Sequence, residues 1–393
     1  MAVRVVIAAA VRTAIGTFGG DFREVPARRL AAACIREVVR RAHVDPAEVD
    51  EVILGCVNQV AEDAYIARAA ALEAGLPRHV TAYAVNRLCA SGVQAVWNAA
   101  GTIALGQARI AVAGGVENMS RLPFYLRSAR WGRRLGHDRI EDGVLTALTD
   151  PLGGFTMGET AERLAERYGI SRQEQDAFAA ASHAKAVRAL EAGYFDGQIV
   201  PITVTEKSGS RAVTRDSQPR PDTSRERLAA LRPVFKEGGT VTAGNASSLN
   251  DGAAALVLMS EEEAARRGVR PLARFVGARA AGVEPEMMGI GPVPATQALL
   301  DRLGLGWEAI DLIELNEAFA AQALAVLSHW PAPVRERVNV NGGAIALGHP
   351  LGATGAILLT KLVHELQRRG GRYGLVTLCV GGGQGLSALI ERL

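Results

Sequence analysis

Val49-Asp50-Glu51-Val52-Ile53-Leu54 and Ile310-Asp311-Leu312-Ile313-Glu314-Leu315 read as one phrase written twice, and position 310 follows position 49 by 261 residues. A second correspondence keeps nearly the same spacing, because His349 follows Cys89 by 260 residues. Each of these two residues is trailed three positions later by glycine, Gly92 and Gly352, and then by an apolar stripe. The first stripe is Val93, Val96, Trp97, Ala100 and Ile103; the second is Leu358, Leu359, Leu362, Val363 and Leu366. Both follow the 3.6-residue period of an amphipathic helix. A strand-like run and a glycine cluster close each stretch, Gly114-Gly115 in one and Gly381-Gly382-Gly383 in the other. The chain is therefore read as two half-domains of one topology.

Further from those phrases, strand-like runs alternate with helical periods, which points to an α/β fold with helices covering buried sheets. The expected strands are Val3–Ala9, Val49–Cys56, Ala108–Ala113, Ala254–Met259, Leu272–Gly277, Ile310–Leu315 and Tyr373–Cys379. The run Val5–Val11 has the length of a short signal segment, but no small-residue cleavage site follows, so a buried first strand is expected. Between the halves, roughly Ser120 to Ser248, the chain is rich in Arg, Gly and Pro, with a turn-rich segment from Lys207 to Thr223. Such an insertion is expected to supply loops and helices over a site that the halves build. The expected domains are 1–119 with 249–271, an inserted 120–248, and 272–393.

Composition narrows the class. The 393 residues are 48% hydrophobic and 22% charged, ordinary for a globular protein, and long enough to bury a core without disulfide or metal staples. A net charge of +3 gives no reason to expect nucleic acid as a partner. No stretch reaches the roughly 18 unbroken apolar residues of a membrane span. The four cysteines, Cys34, Cys56, Cys89 and Cys379, form no Cys-x-x-Cys pair and no secreted disulfide pattern, so a reducing cytoplasm is expected. The seven histidines lack metal-ligand spacing, and no metal is expected.

Four segments hold residues suited to chemistry. Cys89, in Asn86-Arg87-Leu88-Cys89-Ala90-Ser91-Gly92, stands where a strand gives way to a helix. Free N–H groups and the positive end of the macrodipole favour thiolate there, the nucleophilic form. On position alone, a small buried cysteine is the commoner outcome. His349 lies in Asn341-Gly342-Gly343-Ala344-Ile345-Ala346-Leu347-Gly348-His349-Pro350-Leu351-Gly352-Ala353-Thr354-Gly355, a glycine-rich loop whose backbone can approach a ligand. As the pseudo-symmetric counterpart of Cys89 it is placed to take the thiol proton. Cys379 opens Cys379-Val380-Gly381-Gly382-Gly383-Gln384-Gly385, which has neither a dinucleotide nor a phosphate-loop spacing. Free N–H groups in such a turn suit a developing oxyanion. Asn316, in Asn316-Glu317-Ala318-Phe319, ends a strand with an amide able to hold a water. Cys34, on a stripe with Leu30, Ile35 and Val38, and Cys56 at a strand end are expected in the core.

Together these segments resemble the motifs of the thiolase family, and the resemblance runs from the first strand to Leu393. It implies two duplicated βαβαβαββ units in a five-layer αβαβα arrangement with an inserted loop domain. It implies an acyltransferase acting on acetyl-CoA and 3-oxoacyl-CoA. Cys89 would be the acylated nucleophile, His349 its base, Cys379 the second acid–base thiol and Asn316 the holder of a water. The N–H groups of Cys89 and Gly381 would hold the thioester oxyanion. The family's coenzyme A contacts map to Ser247, Ala243, Leu249, Phe235, Met157, Ala318 and Phe319 along the pantetheine, Arg220 near the nucleotide, and Met288 at the acyl pocket. Arg121, Arg127, Arg130, Arg133, Arg134 and Arg139 fit either phosphate attraction or a solvated or inter-subunit face. Thr156 stands where short-chain biosynthetic members carry histidine, and Ser248 where many have glycine, so acyl length stays open.

The resemblance further implies no bound cofactor beyond coenzyme A and acyl-CoA as substrates, and a homotetramer or homodimer. An acetyl-CoA C-acetyltransferase is the first expectation; a broader-chain 3-ketoacyl-CoA thiolase of fatty-acid or aromatic degradation is the alternative. Ketoacyl synthases and hydroxymethylglutaryl-CoA synthases share the fold but lack a second reactive cysteine, and Cys379 argues against them. A non-catalytic acyl-CoA-binding protein would be expected to have lost a reactive residue, and a redox switch through Cys89 and Cys379 is a possible secondary property.

Overall fold

The computed structural model describes residues 3–206 and 209–393. In the first half, strands β1 (Val5–Thr13), β2 (Glu51–Gly55), β3 (Thr81–Val85), β4 (Ile110–Asn118) and β5 (Asn250–Ser260) alternate with helices α1 (Ala27–Arg41), α2 (Ile66–Glu73) and α3 (Ser91–Ala104). The insertion carries α4 (Met157–Tyr168) and α5 (Arg172–Glu191). The second half holds β6 (Ala273–Gly282), α6 (Pro292–Leu303), β7 (Ile310–Leu315), α7 (Ala320–Ser328), α8 (Leu351–Arg369), β8 (Tyr373–Val380) and β9 (Gln384–Arg392).

The strand order makes the duplication visible. The first half runs β3-β2-β4-β5-β1 across its sheet and the second runs β7-β8-β9-β6, with Val338 bridged in parallel beside Ile313 where β3 has its counterpart. The sheets join edge to edge, because β1 and β6 pair antiparallel from Val5↔Phe275 to Ile7↔Ala273. Helices α3 and α8 pack on each other between the sheets, α1 covers the first sheet from outside and α6 the second. This is the α/β, five-layer thiolase fold.

All seven expected strands form, with ends shifted by a few residues. Two further strands of five residues or more in the main sheet were not expected. β3 is an edge strand whose residues are half-exposed or exposed, so no apolar run marks it. β9 follows a glycine cluster that reads as a turn. The turn-rich stretch also needs correction: Gly209–Val213 pairs antiparallel with Ile202–Glu206, while Lys207 and Ser208 lie outside the described residues.

Helix α8 departs from the amphipathic reading. It is buried on nearly all sides, including Lys361 and Glu365, because it touches both sheets. The burial of Lys361 is tolerable only with a partner. Its ammonium sits 2.7 Å from Glu314 of β7 and donates to the Gly342 carbonyl at 3.0 Å. Arg12 of β1 ties down the insertion in the same way, gripping Asp216 through two bonds of 2.7 and 2.9 Å with both side chains fully buried.

The N-terminal ends of α3 and α8 meet without intervening side chains. A Cβ on Gly92 would lie 2.5 Å from the Ala356 nitrogen, and one on Gly355 would lie 2.5 Å from the Val93 nitrogen. Residues just ahead of the two helices, Cys89 and His349, are thereby carried to one place.

Candidate active site

Cys89 sits in a turn built by its own motif. The Leu88 N–H donates to Asn86 Oδ1 at 2.9 Å, and Ser91 Oγ donates to the Leu88 carbonyl at 2.7 Å while accepting the Arg87 N–H at 2.9 Å. These bonds hold Leu88 at φ +45°, a left-handed conformation costly for a branched side chain. The strain stands directly beside Cys89. Among the four cysteines, only Cys89 keeps appreciable surface, and Cys379 is fully buried.

The expected thiolate at Cys89 is not what the surroundings favour. Burial pushes its thiol up to about 11, against the N–H groups of Gly381 and of Cys89 itself, which both pull it down. Helix α3 begins only at Ser91, so the dipole acts from a distance while desolvation acts on the sulfur directly. The resting sulfur is a thiol that needs a base. The N–H groups of Gly381 and Cys89 lie by the sulfur, where an oxyanion pair would have to reach the oxygen of a bound acyl group. Cys379, the penultimate residue of β8, is raised further by burial and then by the charge of Cys89, so ionising one thiol opposes ionising the other.

His349 is fixed at its backbone and its ring. Its N–H donates to Asn250 Oδ1 at 2.8 Å, and Asn250 Nδ2 donates to the Gly16 carbonyl at 3.0 Å. Gly348 precedes it at φ +111°, and a Cβ there would fall 2.5 Å from the Asn250 side chain. At the ring, Nδ1 lies 2.7 Å from Thr354 Oγ1 and Nε2 lies 3.4 Å from Asn316 Nδ2. Burial lowers the imidazole to about 4, so it is neutral at physiological pH and free to take a proton. Asn316 Oδ1 is buried with no protein partner, a state that costs about 1–3 kcal/mol unless something else donates to it.

Glu317 shapes the loop ahead of His349. Its buried carboxylate accepts from Ser182 Oγ at 2.7 Å, Asn339 Nδ2 at 2.8 Å and the Ile345 N–H at 3.3 Å. Gly343 leaves room for it, since a Cβ there would lie 2.2 Å from the carboxyl carbon. Glu117, at the end of β4, does the same from the other half by accepting the Val57 N–H at 3.0 Å and the Gly352 N–H at 2.8 Å. Sequence reasoning missed Glu117, Glu317, Asn250 and Thr354. Each lies in or beside a quoted motif or strand, but a polar residue's partner 28 or 235 positions away leaves no local periodicity.

The residues expected along the coenzyme A path fall in three groups. Met157, Phe235, Met288, Ala318 and Phe319 pack in one apolar cluster with Cys379, and the Phe235 and Phe319 rings meet edge to face at 5.9 Å. Leu249 packs instead with Cys89, beside Leu148. Arg220 and Ala243 line a cavity of about 270 Å³ together with His183, Arg227 and Ser248. Ser247 is half-buried and donates its N–H to the Ala318 carbonyl at 2.9 Å; Ser248, not Ser247, lines the cavity. Gly381 bridges the groups, for a Cβ there would meet Leu88 at 3.2 Å and Met157 Sδ at 3.3 Å. Of the six arginines, Arg121, Arg127 and Arg133 pair with Glu62, Glu141 and Asp138.

Comparison with known proteins gives the family. The family profile "Thiolase, N-terminal domain" matches residues 5–262 and "Thiolase, C-terminal domain" matches 269–392. The chain is 50% identical to the beta-ketothiolase BktB of Cupriavidus necator over 394 residues, 99% of each chain. It superposes on the crystal structure of the Bacillus anthracis acetyl-CoA acetyltransferase with a TM-score of 0.98 at 52% identity, covering 100% of this chain and 99% of that one. A human mitochondrial 3-ketoacyl-CoA thiolase in complex with CoA gives 0.95 at 42% identity, covering 100% and 98%.

Proposed function

The chain belongs to the thiolase family and is an acyltransferase with thiolase activity, and from that premise we propose that it is an acetyl-CoA C-acetyltransferase working through an acyl-Cys89 intermediate. In the cleavage direction the Cys89 proton passes to His349 Nε2, and the sulfur bonds to C3 of a 3-oxoacyl-CoA. The C2–C3 bond breaks, and its electron pair leaves as the enolate of acetyl-CoA, which takes the Cys379 proton. Coenzyme A then gives its thiol proton to Cys379 and takes the acyl group from Cys89, whose sulfur recovers its proton from His349. In synthesis Cys379 removes the α-proton of a second acetyl-CoA, and the enolate oxygen lies between His349 and a water held by Asn316. A weakly acidic α-proton needs both a base and a polarised oxygen, which is this division of labour.

The observation that carries the reading is the close approach of α3 and α8 at Gly92 and Gly355, which brings together the helix starts that hold Cys89 and His349, with the His349 ring 3.4 Å from Asn316. The orphaned Asn316 Oδ1 supports the water. The cavity with Arg220, Arg227 and His183 suits the phosphates of coenzyme A, and the apolar cluster at Cys379 suits its pantetheine. Ser248 is a candidate there beside Ser247.

The domains are proposed as 1–119 with 249–271, 120–248, and 272–393. Self-association as a dimer or tetramer is supported by the large apolar side chains Phe124, Trp131, Leu135 and Leu152 that the insertion exposes. No helix among the described residues is long and apolar enough to cross a membrane, and unpaired Cys89 and Cys379 fit a reducing cytoplasm.

The test is turnover of acetoacetyl-CoA with free coenzyme A, run beside Cys89→Ala and Cys379→Ala. Turnover by the parent and collapse in both variants is expected. A parent inert toward this substrate but active on a longer 3-oxoacyl-CoA would move the assignment to a broader-chain thiolase. Inertness toward both would overturn it.

A further inference from the structure

His349 has two ring nitrogens, and only one can carry the proton while the ring is neutral. Which one decides whether the ring can act as a base toward the substrate side. The ring is enclosed: His349, Thr354 and Asn316 are 5%, 2% and 0% exposed, so bulk water does not arbitrate.

At one end, Thr354 Oγ1 stands 2.9 Å from the Pro350 carbonyl and 2.7 Å from His349 Nδ1. The Pro350 oxygen also takes the Ala353 and Thr354 N–H groups at 2.9 Å each, and with the hydroxyl hydrogen directed to that carbonyl the hydroxyl meets Nδ1 as an acceptor. At the other end, Asn316 presents its Nδ2 to His349 Nε2 at 3.4 Å. With the Asn316 amide nitrogen turned to the ring, as it stands, the facing Nε2 is suited to carry the lone pair. The two ends are compatible with the same proton position.

We propose that Thr354 is a positioning residue that holds His349 as its Nδ1–H tautomer and so leaves Nε2 as the proton-accepting atom of the acyl-transfer site. The inference rests on the proposed reading of His349 as the base. Thr354 touches neither substrate nor the reacting sulfur. It acts through the ring, and it continues to accept from Nδ1–H after Nε2 has been protonated, so the same bond serves both states. Its place in the first turn of α8 sets its hydroxyl on the Pro350 carbonyl four residues back, and the His349 ring, five residues back and just ahead of the helix, meets the same hydroxyl.

The experiment uses the full chain with ¹⁵N-labelled histidine, His349 being assigned by the signal lost in His349→Asn, together with kinetics of Thr354→Val and Thr354→Ser. In the parent, Nδ1 is expected to show a pyrrole-type and Nε2 a pyridine-type nitrogen shift. Thr354→Val keeps the shape but removes the acceptor. The Nε2–H form should grow, and kcat should fall by roughly 10²–10⁴-fold, the worth of a positioned base, with KM for coenzyme A nearly unchanged. Thr354→Ser keeps the hydroxyl and should restore both readouts. A protonated Nε2 in the neutral parent ring would overturn the proposal, even if Thr354→Val did not fold. So would parental kcat in Thr354→Val, or equal losses in the Ser and Val variants. A parent that fails to turn over acetoacetyl-CoA would instead sink the reading of function, while the nitrogen shifts still decide the tautomer.

Discussion

Gly92→Ala adds one carbon where α3 meets α8. That carbon would lie 2.5 Å from the Ala356 nitrogen, 3.1 Å from the Ala356 Cβ and 3.2 Å from the Gly352 carbonyl oxygen. Ordinary contact begins near 3.4 Å, so the helices must part by about 0.9 Å (3.4 less 2.5). Two of the three obstacles are backbone and cannot swing aside as a side-chain tip would. Overpacking of this sort costs about 1–3 kcal/mol. Replacing glycine within a helix returns about 0.5–1 kcal/mol. The balance, a loss of about 0–2.5 kcal/mol, leaves the protein folded. Activity is the more sensitive quantity, because Cys89 and His349 ride on the two helix starts that are being separated. A misplacement near 1 Å costs about 10²-fold in rate. Gly101→Ala is the control: it lies in the same helix, and a Cβ there meets nothing within 4 Å. It should gain about 0.5–1 kcal/mol and keep full turnover. Both variants would be followed by chemical denaturation and by acetoacetyl-CoA cleavage. A folded Gly92→Ala protein with parental kcat would refute the claim that this glycine contact sets the distance between the two reacting groups.

Asn316→Ala should lower kcat by roughly 10²–10³-fold, the usual worth of one oxyanion donor, and steady-state kinetics showing parental kcat would count against a water held there. Lys361→Met leaves Glu314 buried and unpaired and should cost about 3–5 kcal/mol by denaturation. Adding Glu314→Leu should recover most of that, and a double variant no better than the single would show that the pair is not the issue. The pH dependence follows from two opposite displacements: burial raises the Cys89 thiol to about 11 and lowers His349 to about 4. Alkylation of Cys89 in the free protein should climb throughout pH 7–9, and kcat/KM should show no acid limb near the ordinary histidine value of about 6.5. The sign is fixed because His349 must be neutral to accept a proton, and a lowered value keeps it so down to about 4. An alkylation plateau near pH 8.5 or an acid limb near 6.5 would contradict these environments.

Much of the protein was legible in one dimension. The repeated phrase at Val49 and Ile310 announced two like halves, since a sheet covered on both faces needs near-continuous apolar runs and these stand out against any background. The four motifs carried the reactive side chains and the backbone donor Gly381, because glycine-rich turns at strand ends are local in sequence. Other features required the folded chain. The edge strand β3 is legible only once β2 lies beside it, for its own residues are half in water. The burial of α8 on every side depends on two sheets closing over it, which no helical period foretells. The same closure reversed the expectation for Cys89: a helix start favours thiolate, but desolvation by groups distant in sequence outweighs it. Sequence by itself determined which atoms are available for chemistry. Only the tertiary structure decided their protonation, through burial, and their mutual distance, through glycine contacts between α3 and α8, because both are properties of what other segments bring near.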